Sequence, residues 1–278
     1  MKNQTWRGAS VVVDANKVSR FGALYAAEYR IRNMLKWWQA ILAFDIGNPV
    51  LFLTSIGIGV GSLVDKHTAG SGPDGVKYLT FLAPALLATA AIQSTMEEVT
   101  FPVMHGFEWR KIFHGMYAAG LTGKQIAQGV LISAITKGTF AVIIYWVVLW
   151  IFHAFDSLRS LWLIPIQIYF GACFGCIIMA VAAYVKKDDN WFAMLNRFVV
   201  APMFLFSGTF YALSTLPLTV RWVGWISPLW HATEVGRYFA YRSEMPLQML
   251  LVHFGYLTFL GLIGLFIAHR KFAQRLAQ

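Results

Sequence analysis

Charge is scarce in this chain. Asp, Glu, Lys and Arg make up 13% of its 278 residues, where a soluble globular chain carries roughly 25%. With 58% hydrophobic residues and a mean hydropathy of +0.56, too little polar surface remains to coat a soluble fold of this size. The same poverty of charge excludes intrinsic disorder, and the lack of a Gly-X-Y period excludes collagen. Cysteine is nearly absent, with two residues in all, which excludes a disulfide scaffold. No uninterrupted apolar h-region occurs in the first ~45 residues, so no cleavable signal peptide is expected. What remains is a polytopic membrane protein.

Acidic residues are scarcer than basic ones, 13 against 23, for a net charge of +10. In a soluble protein that excess would suggest nucleic acid. In a membrane protein the positive-inside bias predicts it, and no nucleic-acid motif is present. The two cysteines, Cys173 and Cys176, form a C-x-x-C inside the apolar run Ile168 to Val185. A redox or metal pair needs an accessible setting that favours thiolate. Two small residues one helical turn apart are expected instead.

Residues 1–20 are polar and basic and read as a flexible cytosolic tail. Residues 21–278 read as a single membrane domain. Over residues 21–44, helical periodicity puts Leu24, Ala27, Ile31, Met34, Leu35, Trp38, Ile41 and Leu42 on one arc, with Arg32, Asn33 and Lys36 opposite. This predicts an N-terminal amphipathic helix lying in the membrane interface. Six apolar stretches follow, at about 46–64, 78–96, 129–152, 161–185, 191–213 and 249–269. Each approaches the ~20 residues that a ~30 Å hydrocarbon slab requires. Gly57, Gly59 and Gly61 in the first offer close helix contact. The expected fold is all-α: an interfacial helix, six transmembrane helices, and short re-entrant helices before the last span.

Placing the N-terminus inside assigns 17 of the 23 Lys and Arg residues to the inner face and leaves Lys66, Lys77, Arg159, Arg221, Arg237 and Arg242 outside. That bias predicts both termini in the cytoplasm. Three segments exceed simple turns. Asp65–Lys77 is a Gly-rich outer loop (Gly70, Gly72, Gly75). Glu97–Gln128 is inner and helical in pattern, and Ser214–Gln248 is outer and rich in Trp and Pro.

An ATP-binding chain needs a phosphate-cradling loop, G-x-x-x-x-G-K-[ST]. The nearest match, Gly120-Leu121-Thr122-Gly123-Lys124-Gln125, has the wrong glycine spacing, follows no strand and carries Gln125 where Mg²⁺ needs a hydroxyl. If ATP drives this protein, another chain binds it. Thr122 instead suits the N-cap of the helix leading into the third span. The inner segment reads either as a solvated connection or as a docking element for a cytosolic motor. Glu97 and Glu98 at the end of span two read as a solvated or salt-bridged helix end, and Lys137 at a similar edge as a snorkelling side chain. No metal spacing and no Ser/His/Asp set is legible among the histidines. The spans are poor in ionisable residues, which weighs against catalysis and ion-coupled transport.

The outer segment carries Ser207-Gly208, Leu216-Pro217, Trp222, Trp225, Pro228-Leu229-Trp230 and Arg237. Leu216-Pro217 starts a short helix, and the tryptophans suit an interface. Either one or two short helices dip back into the outer leaflet, packed against protein, or the segment is an extracellular loop lying on the membrane.

The run Phe204-Leu-Phe-Ser207-Gly208-Thr-Phe-Tyr211, with Leu216-Pro217, Pro228-Leu229 and Arg237, resembles the signature of ABC type-2 exporter permeases. The branch it is most similar to contains nodulation lipo-oligosaccharide and daunorubicin-resistance permeases. Tyr78-Leu-Thr-Phe-Leu-Ala-Pro-Ala85 resembles that family's start of span two, with Ala85 where Gly is frequent. Ile126 to Gly129 resembles the end of its coupling region, and Tyr211-Ala212 replaces a common Phe-Pro. The resemblance covers nearly the whole chain. It implies a transport subunit of the bacterial plasma membrane, not an enzyme, with no cofactor of its own and ATP-Mg on a partner. It implies two ATPase subunits beneath two permease copies, either a homodimer or a pair with a close paralogue. Coupling would fall to Arg110, Lys111, His114, Leu121, Lys124 and Gln125. Ser207, Gly208, Leu216, Pro217, Trp222, Trp225, Pro228 and Arg237 would form the exit region, with spans one, two and five lining the route. The cargo would be amphipathic, a lipid-linked oligosaccharide or polysaccharide or a hydrophobic drug. The competing class is an integral-membrane enzyme acting on a lipid-linked substrate, which would cluster Glu97, Glu98, Asp188 and Asp189 at the inner interface. A secondary transporter would need a polar midplane site.

Overall fold

The computed structural model describes residues 15–68, 72–187, 190–241 and 244–278. Lys2 and Arg7 of the expected tail, Gly70, Asp188, Asp189 and Arg242 lie outside the described residues. Helix α1 (Ala15–Leu35) leads through a turn at Lys36–Trp37 into α2 (Trp38–Phe52), a π-helical stretch (Leu53–Val60) and α3 (Gly61–His67). A 3₁₀ turn (Pro73–Gly75) precedes α4 (Tyr78–Val99), α5 (Phe101–Phe107), α6 (Ile112–Ala118) and α7 (Gly123–Ile151). Next come α8 (Leu163–Tyr184), α9 (Trp191–Leu195), a π-helical turn (Asn196–Val200) and α10 (Ala201–Phe206). The chain ends with α11 (Leu218–Ile226), α12 (Pro228–Tyr241) and α13 (Leu247–Leu276). No strand occurs among the described residues.

Five of these helices are long and apolar enough to cross a membrane: Trp38–His67, Tyr78–Phe107, Gly123–Ile151, Leu158–Tyr184 and Leu247–Leu276. Trp191–Phe206 is apolar but shorter. The core is built on α4 and α8, which contact each other, α7 and α12. Small residues let the backbones approach. A Cβ on Gly264 of α13 would sit 2.6 Å from the Ile177 nitrogen and 2.7 Å from the Cys176 carbonyl carbon of α8. Cys173 and Cys176 are buried free thiols in this seam, the packing role expected of them.

Local chemistry sets the helix ends. Gly120, at φ +94°, turns the chain, and Thr122 caps α7. The Gln125 amide nitrogen donates to Thr122 Oγ1 at 3.3 Å, and the Thr122 amide donates to Gln125 Oε1 at 2.9 Å. This capping box starts the helix at Gly123, six residues before the expected start of span three. Gln125 Nε2 also donates to the carbonyls of Val18 and Ser19, fastening α1 to α7.

Three sequence expectations are corrected. The expected helix over 21–44 breaks at Lys36–Trp37, and α2 takes over from Trp38. Leu24 and Leu35 of the apolar arc are exposed, as an interfacial helix requires, while Gly22, Ala26, Ala27 and Arg30 meet protein. Close helix contact selected small side chains over large ones: a Cβ on Gly129 would lie 2.5 Å from that of Ala26. The expected fifth span, 191–213, stays helical only to Phe206. There the Ser207 hydroxyl donates to the Met203 carbonyl and Gly208 adopts φ +72°. Of the three glycines in span one, only Gly57 sits against a neighbour, Leu79, closely enough for a Cβ to clash.

The two ends of the bundle are distinct. Val18 and Ser19, the start of α7 and Ala273 of α13 meet at one end. Asp74, Tyr78, Phe210 and Tyr241 meet at the other. Between them α4 runs 22 residues, about 33 Å at the helical rise. Trp191–Phe206 travels from the first end toward the second, because Val185 meets Arg275 while Phe210 meets Tyr78.

Candidate functional site

At the end shared by both described termini, α5 and α6 form a compact turn. Its inner side is aromatic. Phe107 meets Phe113 and Phe272 edge-on, with centroids 4.9 and 4.8 Å away, and Phe113 lies tilted 5.5 Å from Phe272. The Arg275 guanidinium lies 4.1 Å over Phe107, bonds the Ala183 and Val185 carbonyls and pairs with Glu108. The last helix is thereby strapped to the turn. On the outer side Arg110, Lys111, His114 and Lys124 are exposed, beside Trp109 and Tyr117. Leu121 is buried beneath them, and Gln125 is spent on the cap and on α1. Of the six residues singled out for coupling, four therefore face outward and two support them. Lys111 takes a left-handed φ of +48°, fixing the corner where α6 begins.

Behind this turn lies a feature the sequence did not reveal. Arg30 of α1 is buried and donates through Nη2 to Glu98 Oε1 at 2.6 Å and to the Glu98 carbonyl at 2.9 Å. Its Nε donates to Ser133 of α7 at 2.9 Å. Lys137 pairs with Glu97 at 2.7 Å rather than simply snorkelling. The salt-bridged helix end expected of Glu97 and Glu98 is present.

A lateral cleft of about 920 Å³ opens between α2, α4 and α7. Asp45, Asn48, Gln93 and Lys137 line one part, and Phe52, Tyr145 and Phe204 another. Asp45 Oδ2 and Ser94 Oγ, buried at its edge, have no hydrogen-bond partner.

At the opposite end the Ser214–Gln248 segment is two short helices. Pro217 precedes α11, its carbonyl accepting from the amides of Val220 and Arg221, and Pro228 opens α12. Leu216 accepts from Arg221 Nη2 through its carbonyl at 2.8 Å. Trp222 and Trp225 are exposed. Ser207 is fully buried and shares a hydrogen bond with Ser227 at the α11–α12 hinge. Arg237 is 2% exposed and anchors the assembly. Nη2 donates to the Gly208 carbonyl at 2.6 Å, Nη1 pairs with Glu234 at 2.8 Å, and the guanidinium lies 3.8 Å from the Phe81 ring centroid. The exit-region residues are thus brought together, with Arg237 as their buried tie to α4. His231 bonds the Trp225 carbonyl through Nε2 and faces His253 Nδ1 at 2.7 Å. Burial holds the His231 imidazole below its ordinary pKa, opposed by the Trp225 carbonyl, so the neutral ring is favoured in this contact.

Among the described residues no group of His, Cys, Asp and Glu could hold a metal. The Gly120–Gln125 run is a helix cap and not a phosphate loop. Multiple apolar crossings, a rigid basic turn at one end and a broken helix pair at the other define a membrane transport subunit without an engine of its own. Residues 21–241 match the family model of ABC-2 type transporters, and the chain belongs to that family as a multi-pass membrane permease. It is similar to Nodulation protein J of Rhizobium meliloti (strain 1021), 29% identical over 252 residues that cover 88% of this chain and 91% of that protein. Nodulation protein J of Rhizobium leguminosarum bv. viciae is 26% identical over 248 residues, 88% of this chain and 92% of that one.

Proposed function

We propose that this chain is the permease half of an ATP-driven exporter. Two copies, or one copy and a close paralogue, pair in the bacterial plasma membrane over two ATPase subunits that bind ATP-Mg. Trp191–Phe206 completes a sixth crossing, short because α11 and α12 re-enter the outer leaflet beside it. With six crossings both termini lie in the cytoplasm, as the basic bias of the inner segments favours. α1 rests in the inner interface with its exposed Tyr25 and Tyr29, and the Trp37–Trp38 step into α2, at headgroup level.

The observation that carries this reading is the turn around α6. It presents Trp109, Arg110, Lys111, His114 and Tyr117 outward on a base fixed by the Phe107–Phe113–Phe272 cluster and the Arg275–Glu108 pair. A rigid, cationic, aromatic projection suits a cleft on a motor subunit and transmits force to α4, α7 and α13 together. Cargo enters the α2–α4–α7 cleft, whose polar part takes a headgroup and whose aromatic part takes an apolar chain. A lipid-linked oligosaccharide or polysaccharide fits both parts, and a hydrophobic drug fits the second. ATP binding closes the motor dimer, the turn moves as a lever, and the outer helices part to release cargo.

Charge reversal with Arg110→Glu and Lys111→Glu tests this. Co-purification with the co-encoded ATPase subunit should fall at least about tenfold, a loss of about 1.4 kcal/mol, with the permease's thermal unfolding unchanged. Undiminished co-purification would remove the turn from the docking role.

A further inference from the structure

A cavity of about 290 Å³ lies between the second half of α1, α5 and the start of α6. We infer that it seats the headgroup of a resident inner-leaflet phospholipid with one negative charge, phosphatidylglycerol being the type. The inference rests on the placement of α1 in the inner interface and deepens it, and the exported cargo takes no part in it. Tyr29, Arg30, Asn33, Trp37, Arg110 and Lys137 are the lining residues that matter.

Charge in the lining is unbalanced. Its three cations, Arg30, Arg110 and Lys137, share it with one carboxylate, Glu98. Arg30 takes Glu98, and Lys137 takes Glu97 from outside the lining. Arg110 enters no ion pair among the described residues. With His105 neutral, one positive charge is left over, which one phosphodiester would balance. A zwitterionic headgroup would bring its own ammonium among three cations and gain less.

Two guanidinium groups border the space from different elements. The Arg30 side chain is 9% exposed, and its bonds to Glu98 and Ser133 use Nε and Nη2. Nη1 enters none of them. Arg110 stands on the corner between α5 and α6, next to the left-handed Lys111. Guanidinium N–H groups bond phosphate oxygens strongly, so one phosphate would bridge the interface helix and the docking turn.

The rest of the lining points to a lipid and not to a free phosphate. Met34, Ile41, Ile112 and Phe113 give an apolar side. Phe113 packs so close to α5 that a Cβ on Gly106 would lie 2.4 Å from its ring. Tyr29 and Trp37 are 44% and 69% exposed and suit headgroup level. A glycerol backbone and acyl chains would cover this side, which inorganic phosphate would leave bare. The cytoplasmic leaflet supplies anionic lipid, and basic pockets at that depth hold such headgroups.

The test incubates the full-length permease in detergent with equal phosphatidylglycerol and phosphatidylethanolamine. Free lipid is removed by size exclusion, and retained lipid is measured by mass spectrometry. Phosphatidylglycerol should be retained in preference, and inorganic phosphate at millimolar concentration should not displace it. Asn33→Glu places a carboxylate at an exposed lining position and should lower retention about tenfold. Lys36→Glu removes an exposed cation of the same segment that lies outside the lining. It changes the net charge by more, yet should lower retention less than about twofold. Thermal unfolding should be unchanged in both. Equal retention of the two lipids, displacement by phosphate, or equal losses from the two variants overturns the site. The assay needs neither the ATPase subunit nor a sealed membrane. Its failure leaves motor docking and sidedness standing, and a failure of either of those leaves lipid retention standing.

Discussion

The helices Tyr78–Phe107 and Trp38–His67 have the same length, yet 78% of the most apolar stretch of the first is buried and 18% of the second. Composition does not separate them; neighbours do. The first is enclosed by α7, α8 and α12 and is tied to α1 by the Arg30–Glu98 pair. The second touches chiefly α7 and the start of α4, contains Pro49 and runs through eight residues of π-helix. Pro and π-helical stretches are common sources of bending. The buried helix is therefore the spine of the subunit. The exposed one is the wall of the cleft.

The largest expected effect that would sharpen this contrast lies at Glu98. Glu98→Ala leaves the Arg30 guanidinium buried without its carboxylate and should cost about 3–5 kcal/mol, read as a lowered Tm of the purified permease. The double variant Arg30→Met, Glu98→Leu should recover most of that loss, because the site then holds no unpaired charge. A Tm unaltered by Glu98→Ala would show that the spine is not tied there.

A smaller effect is expected in the α8–α13 seam. Gly264→Ala forces a methyl onto α8 backbone and should cost about 1–3 kcal/mol. Gly59→Ala on the cleft wall has nothing within 4 Å of the new methyl, and its change in stability should stay within about 1 kcal/mol. Equal losses from the two would break the contrast between spine and wall.

Much of this was legible in the sequence, for local reasons. Apolar runs of membrane length located the helices, and Thr122 as an N-cap residue marked the start of α7. Leu216-Pro217 marked the start of a short outer helix, while one helix, two helices or a loop remained open for the segment. The inner segment was legible as helical in pattern and longer than a simple turn, with a solvated connection and a docking element both left open. What was not legible depends on partners far apart in the chain. Arg30 meets Glu98 across 68 residues and Arg275 meets Glu108 across 167, and no spacing rule links them. The protein-facing side of α1 was not legible either, because a hydrophobic wheel marks Leu24 and Leu35 for the membrane and says nothing of a helix crossing. A tight helix crossing rewards Gly22 and Ala26 instead. The end of α10 at Phe206 turned on one serine folding back on its own helix, a contact that runs of apolar residues do not reveal.

The most direct measurement of the central claim is sidedness. The claim is a six-crossing conduit with its motor-facing turn inside and its paired short helices outside. With Cys173 and Cys176 replaced by alanine, single cysteines at His114, Trp222 and Gln278 are labelled with a membrane-impermeant maleimide on intact cells. The account predicts labelling at Trp222 alone, with His114 and Gln278 labelled only after the membrane is opened. Labelling of His114 and Trp222 from the same face would contradict it.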